Sequence, residues 1–218
     1  VQAAIAGGDA CVLRLQIRQR DRLAGWAGQY DETTLQPAQG RTFELPAIAT
    51  QETVGVVRDL MSIPSPSPEV IQGTPEERLA GMQARNRRVG ARFAEISNLP
   101  QVVIAAVEGA VQWLRQVELT GWRLQTFDAP AEQFRHHGSS KDRRLVADPA
   151  ARGLWARFHD LADDTVVLAD RDGRRLARYE DVTRERRTGY AWYGDWPRAL
   201  LAREHPAWQA RHARAAAR

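Results

Sequence analysis

The stretch Pro100–Val117 (PQVVIAAVEGAVQWLRQV) has the clearest structural pattern in the chain and decides the first assignment of fold class. Proline suits the first turn of a helix, and apolar side chains then recur every three or four residues, on one helical face. The residues on that face are Val103, Val107, Val111, Leu114 and Val117. We therefore predict an amphipathic helix that packs this face into a core.

The segments on either side extend the helical pattern and add a minor β component. Further helices are predicted over 3–17, Glu52–Met61 and Thr74–Ser97, and a last helix after Pro197. Strands are predicted at 119–128, Trp155–His159 and Thr165–Leu168, a turn at Asp172-Gly173, loops with short strands over 22–45, and a polar loop over His136–Asp142. The predicted fold class is mainly α with short strands and hairpins, in a single domain over 1–218.

The composition excludes several classes of protein. The chain has 218 residues, of which 43% are hydrophobic and 27% charged, as is typical of a folded globular domain. The longest apolar runs fall far short of a membrane span, so a transmembrane protein is excluded. Cys11 is the only cysteine, which excludes an intramolecular disulfide and a cysteine-based zinc site.

The basic residues are almost all arginine. The chain has 31 basic and 27 acidic residues for a net charge of +4, and Lys141 is the only lysine. One interpretation is codon bias in a GC-rich genome, which the high alanine content supports. The other is a partner rich in carboxylates or phosphates, because guanidinium groups bind both in a bidentate manner. Composition alone does not separate nucleic acid from an acidic polysaccharide.

Familiar catalytic motifs are absent from the sequence. It contains no phosphate-binding loop, no dinucleotide-binding glycine pattern and no nucleophile elbow. None of the five histidines has metalloprotease spacing, and His136-His137 is interpreted as a solvated loop pair. Any chemistry must therefore come from other residues.

The stretch Glu185–Pro197 (ERRTGYAWYGDWP) combines two arginines with four large aromatic residues. Sugar rings have apolar faces that stack on such aromatics, and a uronate carboxylate fits an arginine fork. The alternative is an aromatic turn that forms part of the core, with arginines on the surface. A stacking platform for single-stranded nucleic acid needs the same residue types, but it usually spreads its aromatics along a basic groove. Smaller clusters lie at Trp26–Asp31 and Asp170–Gly173.

Arg58 lies in an otherwise apolar helical run, Gln51–Met61 (QETVGVVRDLM). A buried arginine needs a partner, because an uncompensated charge is costly in an apolar environment. An ordinary ion pair with Glu52 or Asp59 is one interpretation. A functional guanidinium is the other.

These segments together resemble the family 10 pectate lyases, in the C-terminal half of their catalytic module. The resemblance is carried by Arg22–Pro37, Glu52–Ser62, Pro66–Val70, Val103–Trp113, Leu154–Asp160, Asp170–Gly173 and Glu185–Pro197, in the expected order. It implies an incomplete α/α toroid with short β elements and an open groove. It also implies a secreted, monomeric enzyme that binds polygalacturonate rather than nucleic acid or membrane.

The resemblance also implies the chemistry. Such enzymes cleave polygalacturonate by β-elimination with Ca²⁺, and an arginine that matches Arg58 takes the place of a general base. Residues that match Arg171, Arg186, Arg187, Tyr30, Asp31 and Tyr190 are expected to bind the substrate. The C5 proton lies α to a carboxylate, so calcium and guanidinium groups stabilise the charge that forms when it leaves. Because arginine normally stays protonated, we expect activity to rise towards alkaline pH.

Three features depart from the family pattern. The acidic motifs that hold calcium are expected upstream of Val1, so no metal ligand is assigned within this chain. Residues 71–102 are predicted to be a helical insertion. Asp59 follows Arg58 where the family has an apolar residue, and an adjacent carboxylate stabilises the protonated guanidinium. The alternative function is therefore an inactive fragment or degenerate paralogue that binds acidic polysaccharide; a nucleic-acid-binding module is the least favoured interpretation.

Overall fold

The computed structural model describes residues 2–63 and 99–216. Its helices are α1 (Gln2–Leu15), α2 (Thr50–Ser62), α3 (Leu99–Gln116), the short α4 (Arg184–Gly189), α5 (Pro197–Ala199) and α6 (His205–Ala216), with a 3₁₀ turn at Tyr179–Asp181. The helices predicted over 3–17, Glu52–Met61, 100–117 and after Pro197 are confirmed to within a few residues. The helix predicted at Thr74–Ser97, and most of the predicted insertion at 71–102, lie outside the described residues.

Helices α2 and α3 form the centre of the first hydrophobic core. The five residues predicted to share one face, four in α3 and Val117 directly after it, are all buried, and they pack with Val54, Val57 and Leu60 of α2. Each fully buried valine or leucine contributes about 1.5–3 kcal/mol of transfer free energy. Gly109 lets strand residue Leu23 approach α3 closely, since a Cβ atom there would lie 2.5 Å from the Leu23 Cβ. The periodicity of α3 thus directly determines this core.

Short antiparallel strand pairs lie against both cores. The pair β1 (Arg18–Gln19) with β2 (Arg22–Leu23) packs against α3 in the first core. The pairs around the second core are β3 (Ile48–Ala49) with β7 (Phe158–His159), β6 (Trp155–Ala156) with β10 (Tyr193–Gly194), and β8 (Leu168–Ala169) with β9 (Arg175–Leu176). Aromatic residues fill the space between them, among them Phe43, Phe158, Tyr179, Tyr190, Trp192 and Tyr193.

A long two-stranded ribbon, β4 (Trp122–Gln133) with β5 (Gly138–Ala147), corrects two predictions. The loop predicted at His136–Asp142 is wrong from Gly138 onward, because those residues belong to β5. The mainly α, toroid-like fold class is also wrong: strands are a substantial part of the described residues, and their two-stranded sheets do not close into a barrel. The ribbon stands largely in solvent; β4 overlaps the strand predicted at 119–128, whereas β5 lacks the apolar alternation that signals a strand. A register shift between Asp128 and Glu132 spans Pro130, which has no N–H to donate.

A π turn at Leu200–Glu204 joins α5 to α6. Pro206 follows two residues later and has no N–H for the α-helical pattern, which favours an irregular turn at this point. Glu204 reaches Arg58 on α2, and the next residue, His205, contacts Glu108 on α3 with 3.0 Å between Nε2 and Oε1. Trp208 on α6 is buried in the first core. The C-terminal helices therefore tie α2 and α3 together.

Candidate functional site

The aromatic residues of Glu185–Pro197 lie mostly inside the protein. Tyr190, Trp192 and Tyr193 are buried, and the Tyr190 ring lies 5.0 Å, centroid to centroid, from both Phe43 and Trp192. Three of the four aromatics thus form core, as the structural alternative stated. They do not present free faces, so their role in a site is to support the arginines beside them.

Arg186 is the most unusual of these arginines. Helix α4 turns its side chain inward, where it is only 5% exposed, and its guanidinium carbon lies 4.6 Å from the centroid of the Phe43 ring. Its Nε is buried without a hydrogen-bond partner, and the guanidinium has no ion pair with any described residue. Burial lowers the pKa of Arg186, and the positive charge of Arg171 lowers it further. Arg186 is therefore a desolvated cation whose donors have no partner among the described residues.

Arg171 approaches Arg186 from the β8–β9 turn. Its guanidinium donates two hydrogen bonds to Glu185, Nε to Oε2 at 3.0 Å and Nη2 to Oε1 at 2.7 Å. These bonds are the largest cause of the lowered pKa of Glu185. The neighbouring Asp170 is buried and accepts a hydrogen bond from the Thr183 hydroxyl at 2.8 Å. The turn is thereby fixed against the start of α4.

Arg187 points away from Arg186, towards the ribbon. It binds Asp142 through two hydrogen bonds of 2.9 and 2.7 Å, and it also donates to the backbone oxygens of Glu180 and Val182. Burial would raise the pKa of Asp142, but the hydrogen bonds from Arg187 and from the Arg143 backbone keep it below its ordinary value. The guanidinium of Arg187 is thus used to hold the ribbon on α4.

A second network adjoins the same aromatics and was missed as a site by the sequence analysis. Tyr190 donates a hydrogen bond of 2.7 Å to Glu44, and Arg157 forms an ion pair with Glu52 while its guanidinium lies 5.2 Å from the Tyr190 ring centroid. Burial raises the pKa of Tyr190, and the hydrogen bond to Glu44 raises it further. Glu44 and Glu52 line a cavity of about 60 Å³ together with Gly28, Gln29, Gly40 and Phe158. Both Glu52 and Arg157 lie in segments that resemble the pectate lyase family, so the sequence pointed to each segment but did not indicate that these two residues pair.

We call Arg41, Phe43, Arg171, Arg186 and Tyr190 the Phe43 cluster. The guanidinium carbon of Arg41 lies 5.9 Å from the ring centroids of both Phe43 and Tyr190, which adds a third cation at the edge of the cluster. The structure thus brings together three of the predicted site residues, namely Arg171, Arg186 and Tyr190.

Arg58 lies elsewhere on the surface. Its side chain is 47% exposed and forms a bidentate ion pair with Glu204, Nε to Oε2 at 2.7 Å and Nη2 to Oε1 at 2.8 Å. It is therefore not buried, and its partner is neither Glu52 nor Asp59. The hydrogen bonds to Glu204 raise the pKa of Arg58. None of its contacts within the described residues involves the Phe43 cluster.

Tyr30 and Asp31 use their polar groups in local structure. The Tyr30 hydroxyl donates to the Leu15 carbonyl and accepts from the Ala27 N–H, both at 2.8 Å, and burial raises its pKa to about 12. Asp31 is exposed and accepts hydrogen bonds from the backbones of Thr33 and Thr34, which lower its pKa. Both residues stabilise the loop that follows β2.

The described residues give a metal ion no ready-made site. Within 2–63 and 99–216, no three His, Cys, Asp or Glu side chains lie close enough together to hold one. Glu44 and Glu52 supply two carboxylates at one cavity, fewer than the six to eight oxygen ligands that Ca²⁺ prefers. No helix in the described ranges is long and apolar enough to span a membrane.

Comparisons with known proteins agree with the resemblance seen in the sequence. The profile described as pectic acid lyase matches residues 1–84 and 91–201. Among solved structures, the family 10 polysaccharide lyase from Cellvibrio cellulosa shares the fold with a TM-score of 0.61 and 23% identity, over 89% of this chain and 46% of its own. A mutant of that lyase in complex with trigalaturonic acid matches equally well, over 47% of its length. A search of curated proteins found no match. The chain spans about half the length of these lyases, and it belongs to the pectic acid lyase family.

Proposed function

We propose that the protein to which this chain belongs is a pectate lyase, which cleaves polygalacturonate by calcium-assisted β-elimination to 4,5-unsaturated oligogalacturonides. The observation that carries this proposal is Arg186, a buried guanidinium with free donors beside the cations of Arg171 and Arg41. A desolvated guanidinium binds a carboxylate far more strongly than one in water does. An anionic sugar polymer offers such a carboxylate on every residue.

The elimination needs positive charge near one carboxylate. The C5–H bond breaks, its electrons form the C4–C5 double bond, and the C4–O bond to the leaving sugar breaks as a proton is supplied to that oxygen. Charge that builds up next to the C5 carboxylate is stabilised by guanidinium donors already in place, and one such donor is worth about 2.7–4 kcal/mol. In this proposal Arg186 and Arg171 bind a carboxylate of the polymer, and Tyr190 positions Arg157 and Glu44 beside it. Arg58 lies outside the Phe43 cluster and would act on a different sugar unit of the same polymer.

Arg58 is proposed as the proton acceptor. Its ion pair with Glu204 opposes that role, because it keeps the guanidinium protonated. Their bidentate pair favours the protonated guanidinium, so the pair must open before Arg58 accepts a proton. Arg187, Tyr30 and Asp31 use their polar groups internally, and we assign them to the support of the substrate site. Ca²⁺ would neutralise substrate carboxylates when bound, but the described residues suggest no ligand set and no step is assigned to it.

The test follows the unsaturated product by ultraviolet absorbance, with polygalacturonate and Ca²⁺ at alkaline pH. Activity that a chelator abolishes and Ca²⁺ restores would support the cofactor. We expect Arg186→Gln to reduce activity by at least tenfold and Arg58→Ala to abolish it. The control is Arg152→Gln, whose exposed side chain contacts only its own loop. Wild-type activity in Arg58→Ala would remove Arg58 from the mechanism.

Glu204→Gln tests Arg58 more directly. Loss of the carboxylate lowers the pKa of Arg58, so the alkaline rise in activity should move to lower pH if Arg58 is the base. An unchanged pH profile together with an active Glu204→Gln enzyme would contradict that role.

A second candidate function is binding of acidic polysaccharide without turnover. It is favoured by the occupied guanidinium of Arg58 and by the lack of a metal cluster among the described residues. Retention of the chain on polygalacturonate without unsaturated product would support it, and loss of retention in Arg186→Gln would locate the binding. We also propose that the lyase is secreted, because pectin lies outside cells, and that it acts as a monomer, with the whole substrate site in one chain.

A further inference from the structure

A cleft of about 190 Å³ lies between the β1–β2 hairpin, helix α3 and the turn before Thr165. It is larger than the cavity of about 60 Å³ at Glu44 and Glu52, and the two cavities have no lining residue in common. Its polar lining includes Gln19, Arg20, Arg22, Gln112 and Asp164. None of these residues belongs to the Phe43 cluster, so the cleft is a separate feature of the molecule.

Backbone strain is concentrated around this cleft. The two residues that connect β1 to β2 are Arg20 and Asp21, with φ angles of +46° and +64°, and Asp164 on the opposite wall has φ +65°. Two-residue hairpin turns of this kind favour Asn-Gly, because residues with a Cβ are strained at positive φ. Only Leu35 shares this conformation among the other described non-glycine residues.

The walls of the cleft are fixed by Asp164. Its two carboxylate oxygens accept hydrogen bonds from Trp113 Nε1 at 2.8 Å and from Gln116 Nε2 at 2.9 Å. Gln19 donates to the Asp160 carbonyl at 2.9 Å, which leaves its own side-chain oxygen free to accept. The cleft therefore needs no rearrangement of these side chains before a ligand enters.

The opposite rim is cationic. Neither the Arg20 nor the Arg22 guanidinium forms an ion pair or hydrogen bond with any described residue, and Arg20 only contributes charge at a distance to Asp163. Two free guanidinium groups recognise a carboxylate or another oxyanion. The amides of Gln19 and Gln112 supply the mixed donors and acceptors that hydroxyl groups need.

We propose that this cleft binds a single carboxylate-bearing sugar, with the carboxylate on Arg20 and Arg22 and the hydroxyls on the glutamines. Its volume lies below the range of about 300–1,000 Å³ of drug-sized ligand sites, which favours one ring or the end of a chain. The choice of a sugar acid rests on the proposed function, whereas the binding of an anion at this place does not. The site is thus suited to hold a product or a chain end away from the Phe43 cluster.

The test is calorimetry on the whole chain with galacturonic acid, galactose and inorganic phosphate as probes. We expect galacturonic acid to bind, and galactose and phosphate each to bind at least tenfold more weakly. Equal binding of galactose would overturn recognition of the carboxylate. Equal binding of phosphate would overturn recognition of the sugar.

Paired variants in one turn separate charge from backbone shape. Arg20→Gly and Asp21→Gly both relieve the same kind of strain, but only Arg20→Gly removes a proposed ligand. We expect Arg20→Gly and Arg22→Ala each to weaken galacturonic acid binding at least tenfold, and Asp21→Gly and the loop variant Arg152→Gln to leave it within twofold. Equal loss in both glycine variants, or loss in Arg152→Gln, would overturn the site. Galacturonic acid binding in a protein without lyase activity would leave this site standing and reject the proposed function alone.

Discussion

The adjacent arginines Arg186 and Arg187 should respond to the same substitution with opposite signs of stability change. Arg186 is buried without an ion pair, so folding removes its hydration and supplies no ion pair or hydrogen bond to its guanidinium in exchange. The effective cost of burying such an ion is several kcal/mol, and its contact with the Phe43 ring returns about 2 kcal/mol. Methionine keeps most of the apolar volume and carries no charge. We therefore expect Arg186→Met to raise the free energy of unfolding by about 2 kcal/mol.

Arg187 provides the matched control. Its partner Asp142 is slightly more buried than Arg187 itself, with side-chain exposures of 13% and 16% respectively. Arg187→Met would leave that carboxylate without its cation, and breaking a buried pair costs about 3–5 kcal/mol. Because both side chains retain some exposure, we expect a loss at the lower end, about 3 kcal/mol.

Urea denaturation followed by tryptophan fluorescence measures both free energies, and for a chain of this size 2 kcal/mol corresponds to a melting temperature shift of about 4–8 °C. Polygalacturonate binding is measured on the same samples. We expect Arg186→Met to gain stability while it loses polygalacturonate binding. If Arg186→Met is destabilised by 1 kcal/mol or more, the guanidinium of Arg186 makes stabilising interactions in the folded protein, which would contradict the proposal that it is unpaired and binds an anion.

Three further predictions concern groups around the same site. Asp142 and Glu44 have lowered pKa values in the folded state, so their contribution to stability is present above their unfolded pKa and is lost as pH falls through the folded pKa. The free energy of unfolding should therefore decline from pH 6 to pH 3. The decline should be less steep in Arg187→Met, which has lost the cation that lowers the pKa of Asp142. Tyr190→Phe removes the hydrogen bond to Glu44 and should cost about 1 kcal/mol in urea denaturation, with a higher pKa for Glu44 by NMR titration. Gly189→Ala places a Cβ atom 2.5 Å from His137 Cε1 and 3.0 Å from Arg186 Nη2, so it should destabilise the ribbon contact by about 1–3 kcal/mol, and an unchanged melting temperature would show that the contact is loose.

Periodicity predicted the helices well and the strands poorly. The five residues selected by the apolar spacing, four in α3 and Val117 directly after it, are all buried, because one face of an amphipathic helix packs against the core. The strand predicted at Trp155–His159 is confirmed as β6 and β7, whereas β3 is two residues long and pairs with β7 across more than a hundred positions, so no local pattern contains it. In the β4–β5 ribbon only a few apolar residues, such as Leu124 and Leu145, pack against the core, and the sequence predicted only its first strand, at 119–128.

Residue types predicted the site better than they predicted its geometry. Arginines and aromatics in Glu185–Pro197 do meet at Phe43, yet which of two consecutive arginines faces inward depends on how α4 docks against the ribbon. The pairing of Arg58 with Glu204 joins residues far apart in sequence, so the neighbours Glu52 and Asp59 were the natural but wrong candidates. Tertiary packing determines which distant residues form ion pairs, and the spacing of residues along the sequence does not predict it.

The π turn at Leu200–Glu204 makes the C-terminal helix sensitive to length rather than to composition. Each residue added to or removed from a helix rotates all later side chains by about 100° around its axis. Removing one residue within the turn would swing His205 and Trp208 away from α3 while every side chain kept its identity. The number of residues between Pro197 and Trp208 therefore fixes the direction in which the side chains of α6 point. Deleting one residue from this interval should destabilise the protein more than most substitutions in it would.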